Sequence, residues 1–116
     1  MSSVSIGAAL AAGTKTTVFT APERKEIKLV LLFISNHTGN DKAVSAWWYD
    51  KSSNTEIAII DGYNLDAKKY IQFGGDGVYV VLEGGDEIRI QTENSSSMTY
   101  IITFEVAGRS AITTYS

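Results

Sequence analysis

Cysteine is absent from this 116-residue chain, and neither long apolar runs nor an excess of basic charge is present. Without thiols the chain has no disulfide, thiolate nucleophile or thiolate metal site, which is typical of a protein made in a reducing cytoplasm. The longest apolar stretch, Ile27 to Ile34, has eight residues including Lys28, whereas a membrane span needs about 20. Ten basic and 13 acidic residues, mixed along the chain, give a net charge of -3. We therefore expect neither a membrane nor nucleic acid as the main partner.

No segment has a convincing helical period, and a period of two dominates the chain instead. Glu87 to Glu93 alternates with Ile88 and Ile90 on one face, as in a half-buried strand. Met98 to Val106 repeats the pattern, with apolar residues on one face and threonines on the other. The polar connection Asn94 to Ser97 has hairpin length, so we expect these two strands to pair as a hairpin.

The stretch Ile27 to Ser35 is apolar on both faces apart from Lys28, which predicts a central strand covered on both sides. Further strand candidates are separated by Gly, Asn, Asp and Ser clusters. These candidates are residues 16–20, 44–49, 55–60, 68–73, 78–82 and 112–115. Short strands at about 8–12-residue spacing predict an all-β, single-domain antiparallel β-sandwich or jelly roll of about eight strands.

The first 14 residues are rich in Ala, Gly and Ser and lack apolar alternation. They have small residues like a signal peptide but no positively charged start, which favours an arm. Such a composition buries too little apolar surface to offset the entropy of ordering. The sequence thus predicts an N-terminal arm at 1–14, ordered only against a neighbour, and a β-sandwich domain at 15–116.

Residues suited to catalysis are few. The single histidine, His37, lies in a polar turn, and no His-based triad can be assembled. Gly74 to Gly77, with Glu83 and Asp86 following, has the composition of one calcium-binding turn, but calcium repeats gain affinity from several stacked copies. The alternative is a hairpin whose glycines supply positive φ. We predict no enzyme activity, no cofactor and no metal site.

Three consecutive aromatic residues give a clearer indication of function. On a strand, Trp48 must face opposite to Trp47 and Tyr49. Trp48 shares the more apolar face with Val44 and is the core candidate. Trp47 and Tyr49 are then candidate interface residues, exposed for a partner or ligand. The alternative is that a loop or the N-terminal arm covers Trp47.

Four segments together resemble a group of small virion proteins of tailed bacteriophages. Thr17-Val18-Phe19-Thr20-Ala21-Pro22 is similar to the first motif of that group, and Ile27 to Asn36 followed by Thr38 to Asp41 is similar to the second. Leu82 to Ile90, which contains Gly85-Asp86, resembles the third, and Tyr100 to Glu105 resembles the closing strand. The group usually has Ala-Gly-Lys after the proline, whereas this chain has Glu23-Arg24-Lys25 and lacks the turn glycine.

The resemblance implies a non-enzymatic structural component of a virion, either a capsid decoration protein or a tail-associated protein. Such a protein is assembled in the host cytoplasm and contacts other virion proteins and copies of itself. The alternative is a lectin-like module for carbohydrate or a host surface, in which Trp47 or Tyr49 stacks on a sugar ring.

Overall fold

The computed structural model describes residues 2–107, which form nine strands and, within this range, no helix. The strands are β1 (Ser2–Ala9), β2 (Thr16–Thr20), β3 (Glu26–Asn36), β4 (Lys42–Asp50), β5 (Thr55–Leu65), β6 (Tyr70–Gly74), β7 (Val80–Leu82), β8 (Glu87–Thr92) and β9 (Met98–Ala107). The prediction of an all-β chain is confirmed. Over the same residues, no helix of a length and hydropathy suited to crossing a bilayer occurs.

The strands form two antiparallel sheets that face each other. Sheet I has the order β1-β9-β3-β6, with β7 also paired to β3, and sheet II has the order β2-β8-β4-β5. Because β6 pairs with residues 31–35 of β3 and β7 with residues 27–29, β6 and β7 act as one interrupted strand. With this strand counted once, the chain crosses between two four-stranded sheets in jelly-roll order. The predicted sandwich or jelly roll of about eight strands is confirmed.

The core lies between the sheets and follows from alternation along each strand. On β8, Ile88 and Ile90 are fully buried while Glu87 and Arg89 are partly exposed. Each sheet thus presents one apolar face inward. The buried apolar residues are Ala21, Ile27, Leu29, Leu32, Ile34, Val44, Ala46, Ile60, Leu65, Leu82, Ile88, Ile90, Met98, Ile102 and Phe104.

A glycine turn divides β6 from β7. Gly74 has φ +87°, and a Cβ at this position would lie 2.3 Å from the carbonyl oxygen of Val30. The next amide, that of Gly75, donates a hydrogen bond of 2.8 Å to the same oxygen. Val30 lies where the register of β3 against β9 shifts, so the bulge and the turn are built together.

The predicted hairpin between the last two strands is wrong. Strand β8 belongs to sheet II and pairs with β2 and β4, whereas β9 belongs to sheet I and pairs with β1 and β3. The connecting residues 93–97 cross from one sheet to the other. Both strands have one apolar face. That face is buried equally well whether the two strands pair as a hairpin in one sheet or lie in opposite sheets, so alternation alone does not distinguish these two arrangements.

Most of the segment predicted as an arm forms an edge strand of sheet I. Strand β1 pairs antiparallel with β9 over eight residues, from Ser2 opposite Val106 to Ala9 opposite Thr99. Main-chain pairing provides the order that the small side chains do not, and Ile6 and Leu10 pack against the core. The predicted strand at 112–115 lies outside the described residues.

Candidate assembly surface

The outer face of sheet II carries the aromatic residues that the sequence singled out. Trp48 packs against the core, as its position in the alternation predicts. Trp47 and Tyr49 point to the opposite side of β4, where Trp47 lies opposite Arg89 of β8 and Tyr49 opposite Glu56 of β5. Both outward rings are partly buried rather than fully exposed.

Charged side chains cover these two rings and pair with one another. The Nζ of Lys15 lies 4.1 Å from the ring centroid of Trp47, and the guanidinium of Arg89 lies 4.1 Å from that of Tyr49. Glu56 accepts hydrogen bonds from Lys15 at 2.8 Å and from Arg89 at 3.0 Å. These two cations, Lys15 first, lower the pKa of Glu56. We call Lys15, Trp47, Tyr49, Glu56 and Arg89 the aromatic–ionic cluster. Glu87, which accepts from Arg89 at 2.8 Å, supplies the second negative charge beside its two cations.

The outer face of sheet I is different, because its centre is apolar. Phe33 and Leu31 point outward from β3, and Ile101 lies directly opposite Phe33 on β9. Tyr70 of β6 stacks on Phe33 with ring centroids 4.8 Å apart. The side chains of Ile101 and Tyr70 are 45% and 60% exposed. We call Leu31, Phe33, Tyr70, Val81 and Ile101 the apolar face, and no strand among residues 2–107 covers it.

One charged pair lies at the end of the apolar face. Lys28 and Glu105 face each other across β3 and β9, and Val81 follows on the other side of Lys28. The ammonium of Lys28 lies 4.4 Å from the ring centroid of Tyr79. Within residues 2–107 neither Lys28 nor Glu105 forms an ion pair.

The sequence shows that β3 is apolar on both sides, but it does not show that one of these sides stays exposed. The apolar pattern of Ile27 to Ser35 predicts cover on both sides, but in the structure the core covers one side of β3 and the other side stays partly exposed. On β9 the alternation places Ile101 on the same face as Thr99 and Thr103, which predicts a polar face there. The signal was the run Tyr100-Ile101-Ile102, which breaks the alternation.

Asp86, the acidic residue of the third motif, is buried and organises two turns through hydrogen bonds. It is 2% exposed, and its carboxylate accepts hydrogen bonds from the backbone amides of Lys51 and Glu83, each at 3.0 Å. The indole Nε1 of Trp48 donates a third at 3.3 Å. The backbone of Asp86 adds a hydrogen bond from the amide of Ala21 at 2.8 Å. One side chain therefore joins the β4–β5 turn, the β7–β8 turn and the core tryptophan.

Asn36, which ends the second motif, plays a similar part at the other end of the sandwich. Its buried side-chain amide donates to the carbonyl oxygens of Asn40 and Leu65, both at 3.0 Å. Its carbonyl oxygen accepts from the amide of Thr38 at 2.9 Å. Both motif residues therefore organise loops, as buried polar groups with complete hydrogen bonding do.

The remaining candidates have local structural contacts. His37 is exposed, and its Nε2 lies 2.9 Å from the hydroxyl of Thr99. In the turn at 74–77, Gly74, Gly75 and Gly77 all have positive φ, as the hairpin interpretation requires. Across residues 2–107, no three His, Asp or Glu side chains come together in a way that could hold a metal ion.

Comparison with known proteins gives similarity at the level of solved structures alone. No family model matches the sequence, and no curated protein matches it. One solved structure, described as Bacillus endospore appendages that form a novel family of disulfide-linked pili, aligns with 88% of this chain and 85% of that chain. The TM-score is 0.43 at 13% identity, a level that does not establish a common fold.

Proposed function

We propose that this chain is a non-enzymatic structural component of a tailed-phage virion, in capsid decoration or at the tail, and that it acts through protein–protein contacts. The observation that carries the proposal is the apolar face of sheet I. A central strand with Leu31 and Phe33 pointing away from its own core is costly to leave in water. Its partner is therefore expected to be another protein surface in the assembly.

The composition of the apolar face supports a protein partner. Interface cores are depleted of charged residues and enriched in aromatic residues, with polar groups at the rim. Here Phe33 and Ile101 lie on the two central strands, Tyr70 stacks on Phe33 from the edge strand β6, and Lys28 and Glu105 lie at one end. Strand edges at β1 and β5 offer further main-chain groups to neighbouring subunits.

Groups that an enzyme would use are engaged in structure among the described residues. The carboxylate of Asp86 receives three hydrogen bonds, and Glu56 pairs with two cations. The single histidine lies in an exposed turn. Among the described residues, one depression is lined by Asp50, Ser52, Glu83 and Asp86. The hydroxyl of Ser52 donates to Asp50, and neither histidine nor lysine lines this depression as a base, which favours a structural role over catalysis.

The lectin-like alternative receives less support. Sugar recognition by stacking needs a free aromatic ring face. Lys15 lies 4.1 Å from the ring centroid of Trp47, and Arg89 lies 4.1 Å from that of Tyr49. A glycan would compete with these cations for the ring faces. The aromatic–ionic cluster is better described as a self-paired solvent face.

Quantitative mass spectrometry of phage particles purified from the source that encodes this chain tests the proposal. We expect the chain at a fixed ratio to the major capsid protein, with hundreds of copies for a decoration protein and far fewer for a tail protein. The variant Ile101→Asp should be lost from particles, because it places a charge in the centre of the contact. Ile57→Asp is the matched control, since Ile57 on β5 is 46% exposed, close to the 45% of Ile101. Absence of the wild-type chain from particles would refute the proposal.

A further inference from the structure

We infer that the apolar face binds a second copy of this chain, in a two-fold symmetric, face-to-face contact whose axis runs along the strands between β3 and β9. This inference rests on the proposed structural role and names the partner. It follows from the register of sheet I, which makes the outer face complementary to itself.

The rows of sheet I can be read directly from the strand pairing. One row across β1, β9, β3 and β6 is Gly7-Ile101-Phe33-Gln72, and the next is Ala9-Thr99-Ser35-Tyr70. At the other end of the sheet, the row across β1, β9, β3 and β7 is Ser3-Glu105-Lys28-Val81. Phe33 and Tyr70 lie on the β3–β6 half of the face, Ile101 lies on β9, and the small residues Ser3, Gly7 and Ala9 lie on the β1 edge.

A two-fold axis between β3 and β9 places each row over the same row of the second copy in reverse order. Tyr70 then meets Ala9 of the second copy, and Phe33 meets Ile101. Each half of the contact therefore pairs a large side chain with a small or apolar one. Symmetric dimers require such self-complementary patches, and sheets that stack face to face keep their strands within about 30° of each other.

The charged pair satisfies the same symmetry. In this arrangement Lys28 of each copy faces Glu105 of the other, and the two contacts are equivalent. Within residues 2–107 neither group has an ion-pair partner, so forming these contacts breaks no ion pair described in the chain. Opposite charges that meet in register give a contact its specificity.

The size of the face suits a dimer. Strands β1, β9 and β3 have 8, 10 and 11 residues, and β6 and β7 have 5 and 3. Strands about 4.8 Å apart with a rise of about 3.3 Å per residue then give a plan area of about 600 Å². A standard protein interface buries about 800 Å² on each partner. The outer face of sheet II has the same number of strands, but its Glu56, Glu87 and Arg89 are paired within the chain.

Charge exchange between two single variants tests the inference. Glu105→Lys alone and Lys28→Glu alone each place like charges opposite one another across the contact. Each should weaken self-association of the full chain by about tenfold or more, measured by sedimentation velocity. Mixing the two variants restores two attractive pairs, so native mass spectrometry should detect a heterodimer with wild-type affinity.

The mixture is the decisive measurement, because each variant alone also places like charges at the neighbouring positions 28 and 105 of its own chain. Ile101→Asp should abolish the dimer, and the control Ile57→Asp should leave it intact. A mixture that fails to form heterodimers overturns the inference. A monomeric wild-type chain overturns it as well and leaves a different protein, or residues 108–116 of this chain, as the occupant. If that monomer still enters particles and Ile101→Asp does not, the proposed function survives without the dimer.

Discussion

Asp86 joins the end of β4 and its following turn to the β7–β8 turn through one carboxylate, and its replacement tests how much these contacts stabilise the fold. Asp86→Ala leaves two backbone amides and the indole of Trp48 without an acceptor. We expect the free energy of unfolding to fall by about 3 kcal/mol, measured by urea denaturation. Asp86→Asn keeps the shape and one good acceptor and should cost less. The exposed Asp61→Ala is the control, with an effect within about 0.5 kcal/mol; an equal loss in both alanine variants would contradict this role.

The two neighbouring tryptophans should respond oppositely to truncation. Trp48→Ala removes an aromatic side chain that packs on the core and donates to Asp86, so we expect a loss of about 3 kcal/mol. Trp47→Ala removes a contact with Lys15 on the outer face, which is worth about 1 kcal/mol or less. Urea unfolding of both variants gives the order. A larger loss for Trp47→Ala would mean that the facing of β4 is inverted.

Glu56 makes stability depend on pH in acid. Hydrogen bonds from Lys15 and then Arg89 lower its pKa below the ordinary 4.5 in the folded state. A lowered folded pKa stabilises the protein above the unfolded pKa, and this contribution is lost as the pH falls through the folded pKa. Glu56→Gln should therefore lower the melting temperature at about pH 7 and have little effect at about pH 2. Glu26→Gln, at an exposed carboxyl, is the control, and a Glu56→Gln effect that is independent of pH would contradict the mechanism.

At the scale of the element, the sequence predicts a loose arm at residues 1–14, whereas in the structure β1 pairs with β9. Deleting Ser2–Gly13 exposes the edge of β9 and the core beneath Ile6 and Leu10. We expect the melting temperature to fall by about 10 °C, which corresponds to about 2 kcal/mol for a domain of this size. Thermal melting of the deletion variant against the full chain is the measurement. An unchanged melting temperature would match the arm predicted from composition.

A strand could be predicted from the sequence where its side chains give a clear polar and apolar pattern. Alternation identified β8 and β9 because their two faces differ in polarity, and the two-sided apolar pattern identified β3 as central. Strand β1 was missed because edge pairing uses main-chain groups, which any residue supplies. The place of β9 beside β3 rather than β8 depends on contacts that are distant in sequence, and local patterns do not encode them.

At the scale of the whole molecule, the two outer faces differ in polarity: that of sheet II carries paired charges, and that of sheet I carries exposed apolar side chains. The sequence directed attention to Trp47 and Tyr49, since consecutive aromatic residues are conspicuous. Folding brings Lys15, Glu56 and Arg89 around them from three other segments, and this arrangement could not be read from local sequence. Ile101 and Tyr70 come together on the opposite sheet from separate strands, so the larger exposed apolar area emerged only in three dimensions.

The pairing of β1 with β9 also governs how quickly the molecule can fold. Within residues 2–107 β1 pairs with β9 alone, and Ser2 lies opposite Val106, so the chain must close its largest loop to add its first strand. A circular permutant that starts at Gly13 and carries residues 2–12 after 116 turns this pair into a local hairpin and breaks no other strand pair. Lower contact order speeds folding. Stopped-flow refolding should therefore give the permutant a faster rate at nearly unchanged stability, and an equal rate would mean that β1 docks after the rate-limiting step.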